Sequence, residues 1–245
     1  MGKGRTMNWA IIEFPGSNCG PDCVYVVEKV LKHKATLLWH TEKKIPSVDA
    51  IILPGGFSYG DYLRSGAIAS LSNIMGAVKE AASIGVPIVG ICNGFQILCE
   101  SKLLPGALIT NRCLRFICSP VYLRVETNES IFTSLFYSGE VIQIPIAHGQ
   151  GCFYADPQTL QKMESEGQIL LRYCDAKGNI SHQSNPNGSL RNIAGIRNLK
   201  GNILGLMPHP ERASENELGS VDGKKIFESV CRYIEVKEKN YCLVD

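Results

Sequence analysis

The stretch Gly90-Ile91-Cys92-Asn93-Gly94-Phe95-Gln96 limits the possible folds of this chain more than any other. The apolar run Val86-Pro87-Ile88-Val89 precedes it and Ile97-Leu98-Cys99 follows it. The first run reads as a buried strand and the second as the opening of a packed helix. Between them, Gly-x-Cys-x-Gly is the strand–turn–helix pattern of a nucleophile elbow, with cysteine in the serine position. So sharp a turn crowds the backbone, and glycines on either side remove the contacts a Cβ would make. The sulfur then sits above the strand ends, and the next helix aims its first amides toward it. That suits a sulfur that attacks as an anion. A buried structural cysteine is the plainer reading of one cysteine alone; the paired glycines argue against it.

The segments before the elbow say what kind of sheet carries it. Residues 9–14 form an apolar run stopped by Pro15-Gly16-Ser17-Asn18 and read as a first strand. The spacing of Val26, Val27, Val30 and Leu31 predicts a helix with one apolar face, with Asp22 as its N-cap. Residues 35–39 and 50–53 are further strands, the second ending abruptly at Pro54-Gly55-Gly56, and a helical region covers 68–83. Strands alternating with helices at this spacing predict βαβ units, hence an α/β fold with a three-layer, doubly wound, mostly parallel sheet. Ligands in such sheets bind at the carboxyl ends of the strands. Both Pro54-Gly55-Gly56 and Cys92 fall there.

Beyond Ser101 the pattern changes to short strands at 121–125, 141–145 and 169–173, read as antiparallel additions to one end of the sheet. Residues 193–196 and 203–207 complete the core, and a last helix spans 224–239. No linker, repeat or charge block divides the chain, so 7–240 is expected to be one domain and 1–6 a leader ahead of Met7. A net charge of +2 gives no reason to expect nucleic acid or an acidic membrane as partner. The ten cysteines show no C-x-x-C spacing, which argues against a zinc ribbon. With no signal peptide or spanning segment in view, the expected setting is the cytoplasm, where thiols stay reduced, and no metal is expected.

A cysteine nucleophile needs a base, and the base needs a group to orient it. Of five histidines, His209 in Met207-Pro208-His209-Pro210-Glu211 follows an apolar run and so lies at a strand end. The two prolines fix the local backbone. In extended chain, residues two apart share a face, so Glu211 can accept from the His209 ring and complete a Cys92–His209–Glu211 triad. Acyl transfer also needs donors for an oxyanion. Gly55 and Gly56 can bring bare amides close to a ligand, and the Asn93 amide directly after the nucleophile is the other natural donor. Gln96 lies one helical turn beyond Cys92 and can face the same pocket.

Taken together, Gly-x-Cys-x-Gly-x-Gln, the late Pro-His-Pro-Glu and the early Pro-Gly-Gly make the chain resemble the class I (triad) glutamine amidotransferases, whose fold is flavodoxin-like. Leu53-Pro54-Gly55-Gly56-Phe57-Ser58-Tyr59-Gly60-Asp61-Tyr62-Leu63-Arg64, Ile146-Ala147-His148-Gly149 and Asn185-Pro186-Asn187-Gly188-Ser189 narrow the likeness. They are similar to the branch that serves as glutaminase subunits of phosphoribosylformylglycinamidine synthases. The resemblance implies that Cys92 attacks the amide of L-glutamine to give a glutamyl thioester and ammonia, with His209 shuttling the proton. It implies oxyanion donors at Gly56 and Asn93, and a glutamine pocket lined by Gly55, Gln96, His148 and Gly149. One departure stands out: the branch has Glu after the His-Gly, and this chain has Gln150.

Neither a P-loop nor a G-x-G-x-x-G fingerprint follows a strand. The resemblance therefore places ATP and Mg on a separate large synthetase subunit, with a small bridging subunit beside it, and no cofactor in this chain. Two other readings remain open from sequence: a different elbow-cysteine hydrolase of the same fold, and a non-catalytic amidotransferase-like partner subunit.

Overall fold

A computed structural model describes residues 5–241. Residues 1–4 of the expected leader lie outside them, while Arg5 pairs with Asp49 and Glu238. The elements run β1 (Asn8–Glu13), α1 (Gly20–Tyr25), β2 (Lys34–Trp39), β3 (Ala50–Leu53), α2 (Ile74–Ser83), β4 (Ile88–Ile91) and α3 (Asn93–Glu100). Then come β5 (Ala107–Ile109), β6 (Ile117–Val125), β7 (Val141–His148), β8 (Cys152–Tyr154), α4 (Pro157–Ser165), β9 (Ile169–Cys174), β10 (Ile193–Arg197), β11 (Ile203–Leu206) and α5 (Lys224–Tyr241).

Nine strands make one sheet in the order β2-β1-β3-β4-β11-β10-β9-β6-β7, and β5 pairs with β8 apart from it. From β2 to β11 every pairing is parallel; from β11 to β7 every pairing is antiparallel. The expected antiparallel additions thus extend the sheet on the β11 side. All residues of β3, β4 and β11 are buried, as strands covered on both faces must be. The register shows the two covers. Trp9 pairs with Ala50, and Val89 and Leu204 point to the same face, where the Trp9 ring meets Phe227 of α5 at 6.3 Å. Gly90 and Gly205 point the other way, and a Cβ on them would strike Leu98 and Phe95 of α3. Helices therefore lie on opposite faces, as a doubly wound sheet requires. Fully burying each Ile or Leu of this core contributes roughly 1.5–3 kcal/mol.

Several boundaries differ from the sequence reading. The first helix starts at Gly20 with Cys19, not Asp22, at the N-cap, because Pro21 is suited to a first helical turn. It then loosens into a π-helical turn over Val26–Val30. The region 68–83 is a 3₁₀ turn, Ala69–Leu71, and then α2, separated where Ser72 turns extended (ψ 152°). Helix α4 and the β5–β8 pair were not expected at all. Among the described residues, no helix is long and apolar enough to cross a membrane.

Candidate active site

The nucleophile's place is built by crowding. Cys92 joins β4 to α3 at φ 50°, ψ −103°, a backbone state costing about 1–3 kcal/mol for a residue with a Cβ. It persists because the surroundings leave no other path. A Cβ on Gly94 would lie 2.0 Å from the Leu53 carbonyl oxygen, and one on Gly90 would lie 2.4 Å from Leu98. The Cys92 amide donates to the Leu206 carbonyl at 2.7 Å, locking the turn to β11. The thiol, 4% exposed, lies 3.7 Å from the carbonyl oxygen of Ala147.

His209 lies three residues beyond the end of β11 and is pinned by its own amide, which donates to the Pro145 carbonyl of β7 at 2.8 Å. Its Nδ1 bonds Glu211 Oε1 at 2.6 Å; both side chains are buried. Nε2 has no hydrogen-bond partner among the described residues. Burial works against the charged ring, but the Glu211 carboxylate and the Cys92 thiol outweigh it, and the imidazole is well above its usual basicity. The two prongs of the site meet across Gly55. A Cβ there would lie 2.7 Å from His209 Cε1 and 3.4 Å from the Cys92 Cβ, so only glycine fits between base and nucleophile.

Gly56 has φ 137°, and a Cβ on it would sit 2.6 Å from the Gly16 carbonyl oxygen. The 15–19 turn holds this loop: Phe57 N donates to Gly16 O at 2.8 Å and Cys19 N to Gly55 O at 3.3 Å. Among the described residues, no loop hydrogen bond takes the amides of Gly56 and Asn93. Asn93 follows Cys92 directly, and Gly56 follows Gly55, which packs against the Cys92 side chain.

The pocket's far side is less as expected. Gln96 reaches across, its Nε2 donating to the Gln150 carbonyl at 2.6 Å, while the Gly149 carbonyl accepts from the Asn111 amide at 2.9 Å. His148 is tied into this side by its ring. Its ring is buried, with Nδ1 3.1 Å from Asn111 Oδ1 and Nε2 3.5 Å from the Asn187 amide nitrogen. Burial, then the charge of His209, lowers its pKa to about 4. Both nitrogens have partners within the protein, so the neutral ring braces this wall of the pocket. Asn111 is the residue sequence reasoning missed here. It also accepts from Gly151 N at 2.9 Å and donates to His148 O at 2.8 Å, and no spacing pattern announced it.

Cys19 was missed as well. Buried beside the base, its sulfur is 3.1 Å from Arg212 Nη2. Cys19, His209 and Glu211 bring donor atoms within 4.8 Å of one another, a grouping of metal-ligand types. The His209–Glu211 hydrogen bond takes Nδ1 and Oε1, and Arg212 contacts the Cys19 sulfur.

Comparison with known proteins gives a coherent outcome. The model of the CobB/CobQ-like glutamine amidotransferase domain matches residues 6–234. The phosphoribosylformylglycinamidine synthase subunit PurQ of Thermosynechococcus vestitus is 53% identical over 230 residues, 91% of this chain and 95% of that protein. A chain in the structure of PurLQS from Thermotoga maritima superposes with TM-score 0.82 at 41% identity, covering 94% of this chain and 100% of that one. A glutamine amidotransferase from Thermotoga maritima has TM-score 0.60 at 13% identity, covering 95% and 99%, a likeness of fold alone.

Proposed function

The chain belongs to the CobB/CobQ-like glutamine amidotransferase family, and from that premise we propose that it is the glutaminase subunit of a phosphoribosylformylglycinamidine synthase, acting in purine biosynthesis as one domain over 7–240. The observation that carries the reading is the elbow cysteine beside a base 2.6 Å from its orienting carboxylate, in a chain 53% identical to a PurQ subunit.

In this mechanism the Cys92 sulfur attacks the side-chain carbonyl carbon of L-glutamine. The carbonyl oxygen takes the negative charge and accepts from the Gly56 and Asn93 amides, which are held in place before the reaction begins. His209 takes the thiol proton at Nε2 and returns it to the leaving nitrogen, so ammonia departs and a glutamyl thioester remains. Glu211 keeps Nδ1 protonated and stabilises the imidazolium between these steps. Water, deprotonated by His209, then attacks the thioester, releasing glutamate and restoring the thiol.

The ammonia passes to a separate synthetase subunit that holds ATP and Mg and converts formylglycinamide ribonucleotide to formylglycinamidine ribonucleotide. A small bridging subunit completes the assembly, which works in the cytoplasm. A docking surface is at hand beside the oxyanion loop. Tyr62 and Leu63 are 71% and 79% exposed, and Phe57 stacks near Phe116 at 6.1 Å with both rings open to solvent. The test is Cys92→Ala in the assembled synthase. Glutamine-dependent synthesis should vanish while ammonium-dependent synthesis survives. Equal loss with both nitrogen sources would make Cys92 a structural residue and overturn the assignment.

A further inference from the structure

One side chain in the site has no part in the reaction just described, and its bonding is unusually directional. Asn93 follows the nucleophile; its side chain is fully buried. Its Oδ1 accepts from the Ser58 amide at 3.2 Å, two residues beyond Gly56 on the oxyanion loop. Its Nδ2 donates to Gln96 Oε1 at 2.8 Å, and Gln96 Nε2 donates in turn to the Gln150 carbonyl at 2.6 Å. Side-chain amides are often ambiguous because oxygen and nitrogen are nearly isosteric. Here both ends are fixed. The first group is a backbone N–H, which only donates, and the last is a backbone carbonyl, which only accepts. No flip of either amide satisfies both ends, so the chain Ser58 N–H, Asn93, Gln96, Gln150 C=O has one polarity. Each bond polarises the next in the same sense, and buried amides left unpaired would be penalised.

We infer that the Asn93 side chain is a positioning residue that ties the oxyanion loop to the far wall of the glutamine pocket. The loop carries two adjacent glycines, whose backbones have more dihedral freedom than other residues and so need outside anchors to hold an amide toward the site. Its other anchors, through Gly16 and Cys19, come from the turn that follows β1. The Asn93–Gln96 relay reaches the Gln150 carbonyl from Ser58, while Ser65 further along the chain meets the Gln150 side chain, its amide 3.5 Å from Oε1. Substrate seated against Gln96 and Gln150 therefore loads the same hydrogen-bonded chain that holds Ser58, and through it Gly56. Alanine at position 93 leaves the backbone amide of the oxyanion site in place and removes only this relay.

The inference rests on the glutaminase reading, and the experiment separates the two. Glutamine hydrolysis by the wild-type complex tests the reading; ratios between variants and wild type test the relay. Asn93→Ala is expected to lower kcat by about ten- to a hundredfold, less than outright loss of an oxyanion donor, with KM changed less than about threefold. Gln96→Glu keeps an acceptor for Asn93 but cannot donate to Gln150, and should raise KM as well as lower kcat. Adding Asn93→Ala to it should cost little more in kcat, because a chain already cut is cut once. Alkylation of Cys92 by iodoacetamide, a reaction with no oxyanion, should proceed at the wild-type rate in Asn93→Ala. Wild-type kcat in Asn93→Ala, or fully multiplicative kcat losses in the double variant, would overturn the relay. So would a fall in alkylation matching the fall in kcat, which would mark a collapsed elbow; Asn93→Ser, smaller in its perturbation, repeats the measurement if the alanine variant does not fold.

Discussion

The two halves of the main sheet make different contributions to one site. In the parallel half, β2 to β11, the reacting groups come from short local segments at strand ends: Gly55 and Gly56 after β3, Cys92 after β4 and His209 after β11. In the antiparallel half, β10 to β7, no reacting group is supplied. That half instead builds the wall, through β7 and a buried network in which His148 meets Asn111 and Asn187, 37 and 39 residues away along the chain. The burial patterns say the same. The parallel strands β3, β4 and β11 are buried throughout, whereas β7 alternates between buried and half-buried positions. On the proposed mechanism, the reacting groups thus sit at the ends of buried parallel strands, and the pocket wall in the part held by polar contacts.

The division can be broken experimentally. Its strongest consequence is that His209→Ala should reduce glutaminase turnover by about a hundredfold to ten-thousandfold, the range for losing a general acid–base group, with a folded protein by circular dichroism. Near-normal turnover would remove the base from the parallel half. Glu211→Gln should fall between that variant and wild type, since glutamine still accepts from the ring but lacks the charge that steadies the imidazolium.

Next in size is an acid effect confined to the wall. His148 is held neutral, with a folded pKa of about 4 against an ordinary value near 6.5. As pH falls below about 6.5 the unfolded chain takes up a proton that the folded one refuses, so stability drops until pH reaches about 4 and then levels. The loss amounts to about 3 kcal/mol. Denaturant midpoints across this window should show the slope in wild type and a shallower one in His148→Gln; parallel curves would refute it.

Asn187→Ala should cost about 1–3 kcal/mol, because the Gly151 carbonyl, 2.8 Å away, and the Tyr173 hydroxyl lose a buried donor. Its effect on kcat should be far smaller than that of His209→Ala. A comparable loss of turnover in a folded Asn187→Ala protein would collapse the distinction between wall and chemistry. Smallest of all, Glu164→Ala removes exposed pairs with Arg172 and Arg191 and should change stability by no more than about 1 kcal/mol. A larger thermal shift would mean that α4, which carries Glu164, braces the antiparallel half more than its exposure implies.

What could be read from sequence follows the same boundary. The elbow was legible because a sharp turn demands glycine at fixed offsets, and those offsets are local. His209 and Glu211 were legible because two prolines and a two-residue spacing dictate a shared face. Helix α4 escaped notice because only Leu160 and Met163 of it are buried, too few for an apolar period, although Asp156 caps it with bonds to the amides of Gln158 and Thr159. The resemblance placed His148 at the pocket, but its ring partners were not legible, because Asn111 and Asn187 lie 37 and 39 residues away. By itself, then, the sequence determined most of the elements, the elbow and the pairing of His209 with Glu211, since local backbone sterics and side-chain periodicity act over a few residues. Only the tertiary structure decided which buried amides face one another. Hydrogen-bond partners across the sheet depend on strand order and register, which no local pattern encodes.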